Sequence, residues 1–217
     1  MITLYSYPNT RSLRAAWTLE ELELDYTCQH VDLREGANLS AEHLARHPDG
    51  KLPALSDGEL VLFESAAICR YLAERYAEGR LLPSDAANRA RLDQWLFFII
   101  GELEQPLWTQ AKHKFALPQE RRVPAVLPTA AWEFQRALAA LQRGFDGQDW
   151  LLGSDFTVAD ILLGHTLNWA HAFKQPLPAA LEAYRQRCNE RPAMVRARAR
   201  EQAAADAATG TPATPQA

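Results

Sequence analysis

Residues Gly50 to Tyr71 read GKLPALSDGELVLFESAAICRY, and this stretch decides how the N-terminal part of the chain folds. Ala54-Leu55 and Leu60-Val61-Leu62-Phe63 are apolar strand runs, and Asp57-Gly58 between them is a hairpin signal. Pro53 stands before the first run. Proline fixes φ and carries no N–H, so it belongs at a strand mouth rather than inside a ladder. The Leu52-Pro53 bond is a candidate for the cis form, which costs an X–Pro bond only about 0.5–1 kcal/mol. Leu52 would then turn its backbone N–H and C=O away from the sheet, where a peptide-like ligand can pair with them. Ser65 reads as the N-cap of a helix running to Tyr76. Free N–H groups and the positive dipole end at a helix start hold carboxylates, and Glu64 beside them can hold an ammonium. Together they would grip an α-amino acid head group. By itself the cap reads first as an ordinary helix start after a hairpin; the proline corner before it, with the hairpin between, turns the reading toward the ligand.

Working outward, Ile2 to Ser6 reads as a strand, Thr10 to Leu22 as a helix, Tyr26 to Val31 as a strand, and Ser40 to Arg46 as a short helix ended by His47-Pro48. With the hairpin and the Ser65 helix the order is βαβαββα, which resembles the thioredoxin-like fold. Residues 1–79 form this domain and 80–87 a linker, by the composition of Gly79-Arg80-Leu81-Leu82-Pro83-Ser84. Residues 88–205 read as an all-helical domain. Within it, Ala86 to Leu117 carries Leu92, Trp95, Leu96, Ile99, Leu103 and Leu107 at helical spacing, with a kink expected at Pro106. Further helices are expected over Pro128–Phe145, Val158–Phe173, Pro176–Asn189 and Pro192–Ala205. Thr157 and Asp160 form a capping box with Asp in place of Glu, flanked by the staple pair Phe156 and Ile161. The small, polar, proline-rich tail 206–217 is expected to be disordered.

The order GKLPAL, hairpin, FESAAICRYLAERY resembles the glutathione-binding half of cytosolic glutathione transferases, and the Thr157–Asp160 box resembles the cap of that family's helical domain. The fold implied is a thioredoxin-like α/β domain followed by an all-α domain. The resemblance implies that Leu52, before Pro53, pairs its backbone with the cysteinyl part of glutathione, that Glu64 and Ser65 hold the γ-glutamyl head, and that Lys51 meets the glycyl carboxylate. It also implies a homodimer, with glutathione as co-substrate and a small electrophile as the second ligand.

The family keeps its activating Tyr, Ser or Cys in the loop after the first strand, here Tyr7-Pro8-Asn9-Thr10-Arg11-Ser12. Matched through Arg14 and Trp17, Thr10 falls at the serine-type position and Arg11 at the cysteine-type one. This implies a Ser/Thr-like loop and not cysteine-type mixed-disulfide chemistry. Thr10 is the first candidate to donate to the glutathione sulfur, with Ser12 and Asn9 as alternates; Thr10 equally suits an N-cap of the first helix. Arg11 adds positive potential or is a solvated surface residue, and Tyr5 and Tyr7 read as packing residues. A free thiol is only about 3% thiolate at pH 7. Lowering its pKa by two units takes about 2.7 kcal/mol. One hydrogen bond to a charged group supplies about 1.5–3 kcal/mol, so a single hydroxyl is nearly enough. Trp108, Lys112 and Phe115, four and three residues apart, form a candidate electrophile face or interdomain core. The expected activity is conjugation of the glutathione thiolate to a small, largely apolar electrophile. A glutathione-dependent reductase or isomerase, and a non-catalytic binding or regulatory protein, are the alternatives on the same fold.

The bulk figures agree with a globular protein: 217 residues, 47% hydrophobic and 23% charged. A net charge of −4 argues against nucleic-acid binding, which needs a basic surface. No apolar run approaches membrane-spanning length and the N-terminus carries no basic leader, so no membrane partner and a cytoplasmic location are expected. Cys28, Cys69 and Cys188 form no CxxC and read as small buried residues. His43 and His47 have the spacing of a metal pair but lack a third ligand, so no metal is expected. Asn38-Leu39-Ser40 is a glycosylation sequon without a secretion signal to give it meaning.

Overall fold

The structure, a computed structural model, describes residues 1–145 and 147–210. The chain divides into two compact units, Met1–Leu82 joined by the chain from Asn189 onward, and Pro83–Cys188. The first unit runs β1 (Ile2–Ser6), α1 (Ser12–Glu21), β2 (Tyr26–His30), α2 (Ala41–Leu44), β3 (Ala54–Asp57), β4 (Leu60–Phe63) and α3 (Ser65–Tyr76), the expected thioredoxin-like order. The sheet order is β2-β1-β3-β4. β1 and β2 are parallel, as a helical crossover requires, and β3 is antiparallel to both β1 and β4. Leu4 pairs with Leu55, and Leu55 with Leu62. Leu4, Ala54 and Leu55 are buried together with Trp17 and Leu19 of α1 and Ile68 and Leu72 of α3. Each such large apolar side chain contributes about 1.5–3 kcal/mol by leaving water.

Several local details differ from the sequence expectation. α1 begins at Ser12 rather than Thr10, and its cap position is Arg11, which makes no side-chain cap bond. Thr10 is therefore not the N-cap. Asp57 ends β3 opposite Leu60, so the hairpin loop is Gly58-Glu59, with Gly58 at φ 60° as a two-residue turn led by glycine demands. The Asp57 carboxylate accepts the Tyr71 hydroxyl at 2.8 Å and also the Tyr76 hydroxyl. α2 is shorter than expected; Ser40 caps it, accepting the His43 N–H at 3.2 Å.

The second unit comprises α4 (Ala86–Phe98), α5 (Gln105–Ala111), α6 (Leu127–Gly144), α7 (Val158–Ala172) and α8 (Ala179–Asn189). The single kinked helix expected over Ala86 to Leu117 is instead α4 and α5 interleaved with π-helical segments at Ile99–Glu104 and Lys112–Ala116. Pro106 lies in the first turn of α5, just past the first π segment. A proline ring collides with the carbonyl four residues back, and the wider π winding moves that carbonyl aside. α7 is buried on every side from Val158 to Leu167 and forms the centre of this unit. Asp160 caps it by accepting the Thr157 N–H at 2.7 Å, and also takes the Leu151 N–H at 2.7 Å and the Tyr184 hydroxyl.

The last helix, α9 (Pro192–Thr209), returns to the first unit, although the sequence reading runs the helical domain to 205. Its stripe Ala193, Ala197 and Ala205 is buried, and it packs against α1 and β2. Arg191 clamps Glu21 with Nε–Oε1 2.6 Å and Nη2–Oε2 2.7 Å, and Arg196 Nε meets Glu20 Oε2 at 2.8 Å. Residues 206–209, expected to open the disordered tail, complete this helix, and Gly210 at φ 67° closes it. The rest of that tail, 211–217, lies outside the described residues.

Candidate functional site

The sheet register assembles the site. Tyr5 of β1 pairs with Ala54 of β3, and Ala54 pairs with Phe63 of β4. The exit of β1, the entry of β3 and the exit of β4 therefore share one end of the sheet. The Tyr7–Arg11 loop, the Leu52-Pro53 corner and the Glu64-Ser65 junction all stand there.

At the corner the Leu52-Pro53 bond is cis. Two residues that sequence reading did not single out for this purpose hold the segment before it. Asn38 donates Nδ2 to the Gly50 carbonyl at 2.6 Å, and His43 Nε2 lies 2.9 Å from the Lys51 carbonyl. His43 thus braces the corner. His47 stacks on Phe63 at 4.9 Å, and burial pushes its imidazole below the usual range. Among the described residues no group of three His, Cys, Asp or Glu is arranged to hold a metal ion. Lys51 is exposed and pairs with Asp49 at 2.5 Å.

At the start of α3 the cap position is Glu64, not Ser65. Glu64 sits at φ 70°, ψ 111°, a backbone region that costs a non-glycine residue about 1–3 kcal/mol. That turn leaves the Glu64 carboxylate exposed and tucks Ser65 into the unit as the first helical residue. The Ser65 hydroxyl accepts Nη1 of Arg14 at 3.2 Å, and Arg14 is itself buried in α1. An arginine three residues before Trp17 was the available sequence signal for this brace, but it carried no indication of its partner.

The β1–α1 loop brings Thr10 and Ser12 together. Their hydroxyl oxygens are 2.8 Å apart, and Thr10 also donates to the Tyr7 carbonyl at 2.8 Å. Thr10 is half-buried, Ser12 has no exposure, and Asn9 is exposed in the left-handed region at φ 62°. Ser12 in turn donates to Glu201 Oε1 of α9 at 2.5 Å. Burial pushes the Glu201 carboxyl up to about 8, against the opposing pull of the Ser12 bond. Tyr5 and Tyr7 are engaged in packing: the Arg46 guanidinium lies 4.2 Å over the Tyr5 ring, and Tyr7 stacks on His30 at 5.2 Å. Cys69 is buried, which raises its thiol to about 11, and Cys28 is half-buried with its sulfur 3.1 Å from the Ser6 hydroxyl.

In the second unit Trp108 meets Trp169 edge-on at 6.4 Å, Trp169 meets Phe173 at 5.9 Å, and Phe115 meets Phe173 at 6.3 Å. Trp108 and Phe115 therefore join one aromatic cluster. The cation over it is Lys114, whose Nζ stands 4.8 Å from the Phe173 ring centre. Lys112 opens the π-helical segment, half-buried.

Residues 1–74 match the glutathione S-transferase N-terminal domain, and residues 124–189 match the glutathione S-transferase C-terminal domain. The disulfide-bond oxidoreductase YfcG of Escherichia coli K12 is 34% identical over 202 residues, spanning 89% of this chain and 92% of that protein. The glutathione S-transferase GstB of the same strain is 32% identical over 205 residues, 89% of this chain and 96% of that protein. A glutathione transferase family member from Pseudomonas fluorescens Pf-5, solved with two glutathione bound, has a TM-score of 0.78 and 27% identity over 90% of this chain and 91% of its own. On the strength of these matches, the chain belongs to the glutathione S-transferase family.

Proposed function

We propose that the first unit binds glutathione and lowers the pKa of its thiol, and that the protein transfers the thiolate to a small, largely apolar electrophile. The observation that carries this reading is the pairing Tyr5–Ala54–Phe63, which gathers three ligand-binding pieces at one sheet end. Leu52 offers backbone groups to the cysteinyl part, and Lys51 meets the glycyl carboxylate. Glu64 takes the γ-glutamyl ammonium, while the Ser65 hydroxyl and the first N–H groups of α3 take its carboxylate. Thr10 is the donor to the sulfur. Ser12, fully buried and bonded to Glu201, supports Thr10 rather than reaching the ligand, and Asn9 is the second candidate donor. Trp108, Lys112 and Phe115 are proposed for the electrophile side.

The first unit is proposed to hold glutathione, as the sequence reading of residues 1–79 has it, and the helices between 88 and 188 the acceptor. A homodimer in the cytoplasm is the proposed working form. The edge strand β4 leaves Leu60, Val61 and Phe63 exposed, which supports association with a second copy. No described helix is long and apolar enough to cross a membrane.

One relative is a disulfide-bond oxidoreductase, and that favours a second reading, glutathione-dependent reduction of disulfides. The β1–α1 loop here has Arg11 and no cysteine, so the attacking thiolate would be that of glutathione itself.

Retention on immobilised glutathione, followed by an ultraviolet thiolate titration of the complex, tests the reading. Wild type is expected to bind and to lower the thiol pKa, and Thr10→Ala to raise it by about one to two units. Absence of retention, with Ser65→Ala behaving as wild type, would overturn glutathione binding. An unmoved thiol pKa in Thr10→Ala would remove Thr10 as the donor. Steady-state rates with an aryl halide and with a mixed disulfide separate transferase from reductase.

A further inference from the structure

We propose that Glu201 is a positioning residue of the thiol-activating loop, its carboxyl setting the direction of the Ser12 and Thr10 hydroxyls and so whether Thr10 offers its proton to the ligand sulfur. The inference rests on the reading of Thr10 as the sulfur donor.

Glu201 interrupts the alanine stripe of α9. Ala193, Ala197 and Ala205 flank it at four-residue spacing, and all face into the unit. A contact made only for packing has no use for a carboxyl there, since burying one is costly. The side chain is 2% exposed, and among the described residues Ser12 is its hydrogen-bond partner. The charges on the elements packed around it are committed elsewhere. On α1, Arg14 bonds Ser65, Glu20 pairs with Arg196 and Arg200, and Glu21 pairs with Arg191. On β2, Tyr26 donates to Glu20, Cys28 bonds Ser6, and His30 stacks on Tyr7. Arg11, at the cap of α1, makes no cap bond with its side chain. The carboxyl therefore acts on the loop through Ser12.

Proton counting gives the consequence. Each hydroxyl has one proton, and the 2.8 Å contact between Thr10 and Ser12 needs one donor. When Glu201 is ionised, Ser12 must donate to it, so Thr10 has to supply the proton between the two hydroxyls and is drawn inward. When Glu201 is protonated, its O–H can donate to Ser12 Oγ. Ser12 is then released to donate to Thr10, which frees the Thr10 proton from Ser12 and leaves the Tyr7 carbonyl and the ligand sulfur as its acceptors. The Tyr7 N–H donates to Ser12 Oγ in either state, and the Tyr7 carbonyl, 2.8 Å from Thr10 Oγ1, is the acceptor with which the ligand sulfur competes for the Thr10 proton. Burial keeps Glu201 protonated up to about pH 8, so the outward arrangement is the one present near neutrality.

The test is the pH profile of kcat/KM together with the thiol pKa of bound glutathione, measured on the full chain. Wild type is expected to show a descending limb near pH 8, which Glu201→Gln loses, because an amide donates and accepts without titrating. Glu201→Ala is expected to raise the thiol pKa by about one unit, with Gln lying between Ala and wild type. If Glu201→Ala does not fold, the Glu201→Gln profile decides. A limb that persists in Glu201→Gln, with an unmoved thiol pKa, overturns the inference even where Thr10→Ala raises that pKa. If Thr10→Ala leaves the pKa unmoved, the failure belongs to the functional reading beneath it.

Discussion

Arg14 of α1 donates Nη1 to the Ser65 hydroxyl at the first turn of α3, across 3.2 Å of buried space. One guanidinium thus sets the position of a side chain 51 residues away, at the junction proposed to grip the γ-glutamyl head. Arg14→Met keeps the apolar stem and removes the donor. It is expected to cost about 1.5–3 kcal/mol, the worth of a charged hydrogen bond. Glutathione affinity, read by calorimetry, is expected to fall at least as far as in Ser65→Ala. Unchanged affinity in Arg14→Met would show that Ser65 holds its place without the brace.

Gly50 ties the Leu52-Pro53 corner to the segment before it. Its φ is +56°, and a Cβ there would stand 2.9 Å from the Asn38 carbonyl oxygen and 3.0 Å from Leu39 Cδ2. Neither the conformation nor the space suits a side chain. Gly50→Ala is expected to lower stability by about 1–3 kcal/mol, visible as a lower urea midpoint. Because Gly50 precedes Lys51 and Leu52, glutathione binding is expected to weaken in the folded fraction as well. Asn38→Ala, which removes the 2.6 Å bond to the Gly50 carbonyl, is expected to act in the same direction.

The parts of this molecule that were legible from sequence are those whose causes are local. Turn chemistry around Gly58, proline at Pro53 and reach-back capping by Asp160 each depend on a few neighbouring residues, and each element stands within a residue of its signal. Ser65 as the first helical residue was not legible, because the preceding cap depends on a strained Glu64 backbone rather than on any propensity. Lys114, which the sequence reading did not single out, stands over Phe173, and no residue type announces the π-helical segment that carries it. Ser12 and Glu201 lie 189 residues apart, and only the return of α9 to the first unit brings them together. The βαβαββα order and its proline corner are thus written in short-range pattern, whereas the bracing of the candidate site is tertiary.

Asp160 has a larger structural part than a helix cap. Its carboxylate takes the Thr157 N–H at 2.7 Å, the Thr157 hydroxyl at 2.8 Å, the Leu151 N–H at 2.7 Å and the Tyr184 hydroxyl. Asp160→Ala leaves several buried donors without a partner, each costing about 1–3 kcal/mol. The variant is expected to unfold or to lose well over half its stability. Tyr184→Phe removes one of these donors and keeps the ring, so it is expected to cost about 1–2 kcal/mol. A difference of that sign and order between the two variants in chemical denaturation would identify Asp160 as the hub. Equal losses would assign the effect to packing around Tyr184.

Glu201 also links stability to pH. Its folded-state pKa of about 8 lies above the roughly 4.3 of an unfolded glutamate, so the folded chain binds the extra proton between those values. The contribution of this group is fully present below the unfolded pKa and is lost as pH rises through the folded one. Stability is therefore expected to decline between about pH 4.5 and pH 8 through Glu201, opposite in sign to an ion-paired carboxylate such as Glu182, whose pKa the Arg185 bond lowers. Glu201→Gln carries no titrating proton and is expected to flatten the decline. Urea midpoints at pH 6 and pH 9 measure it, with the gap narrower in Glu201→Gln than in wild type. An equal gap in both proteins would mean that Glu201 ionises in the folded chain as readily as in the unfolded one. The Ser12 bond would then have outweighed burial, and the carboxylate would draw Thr10 inward at every pH of interest.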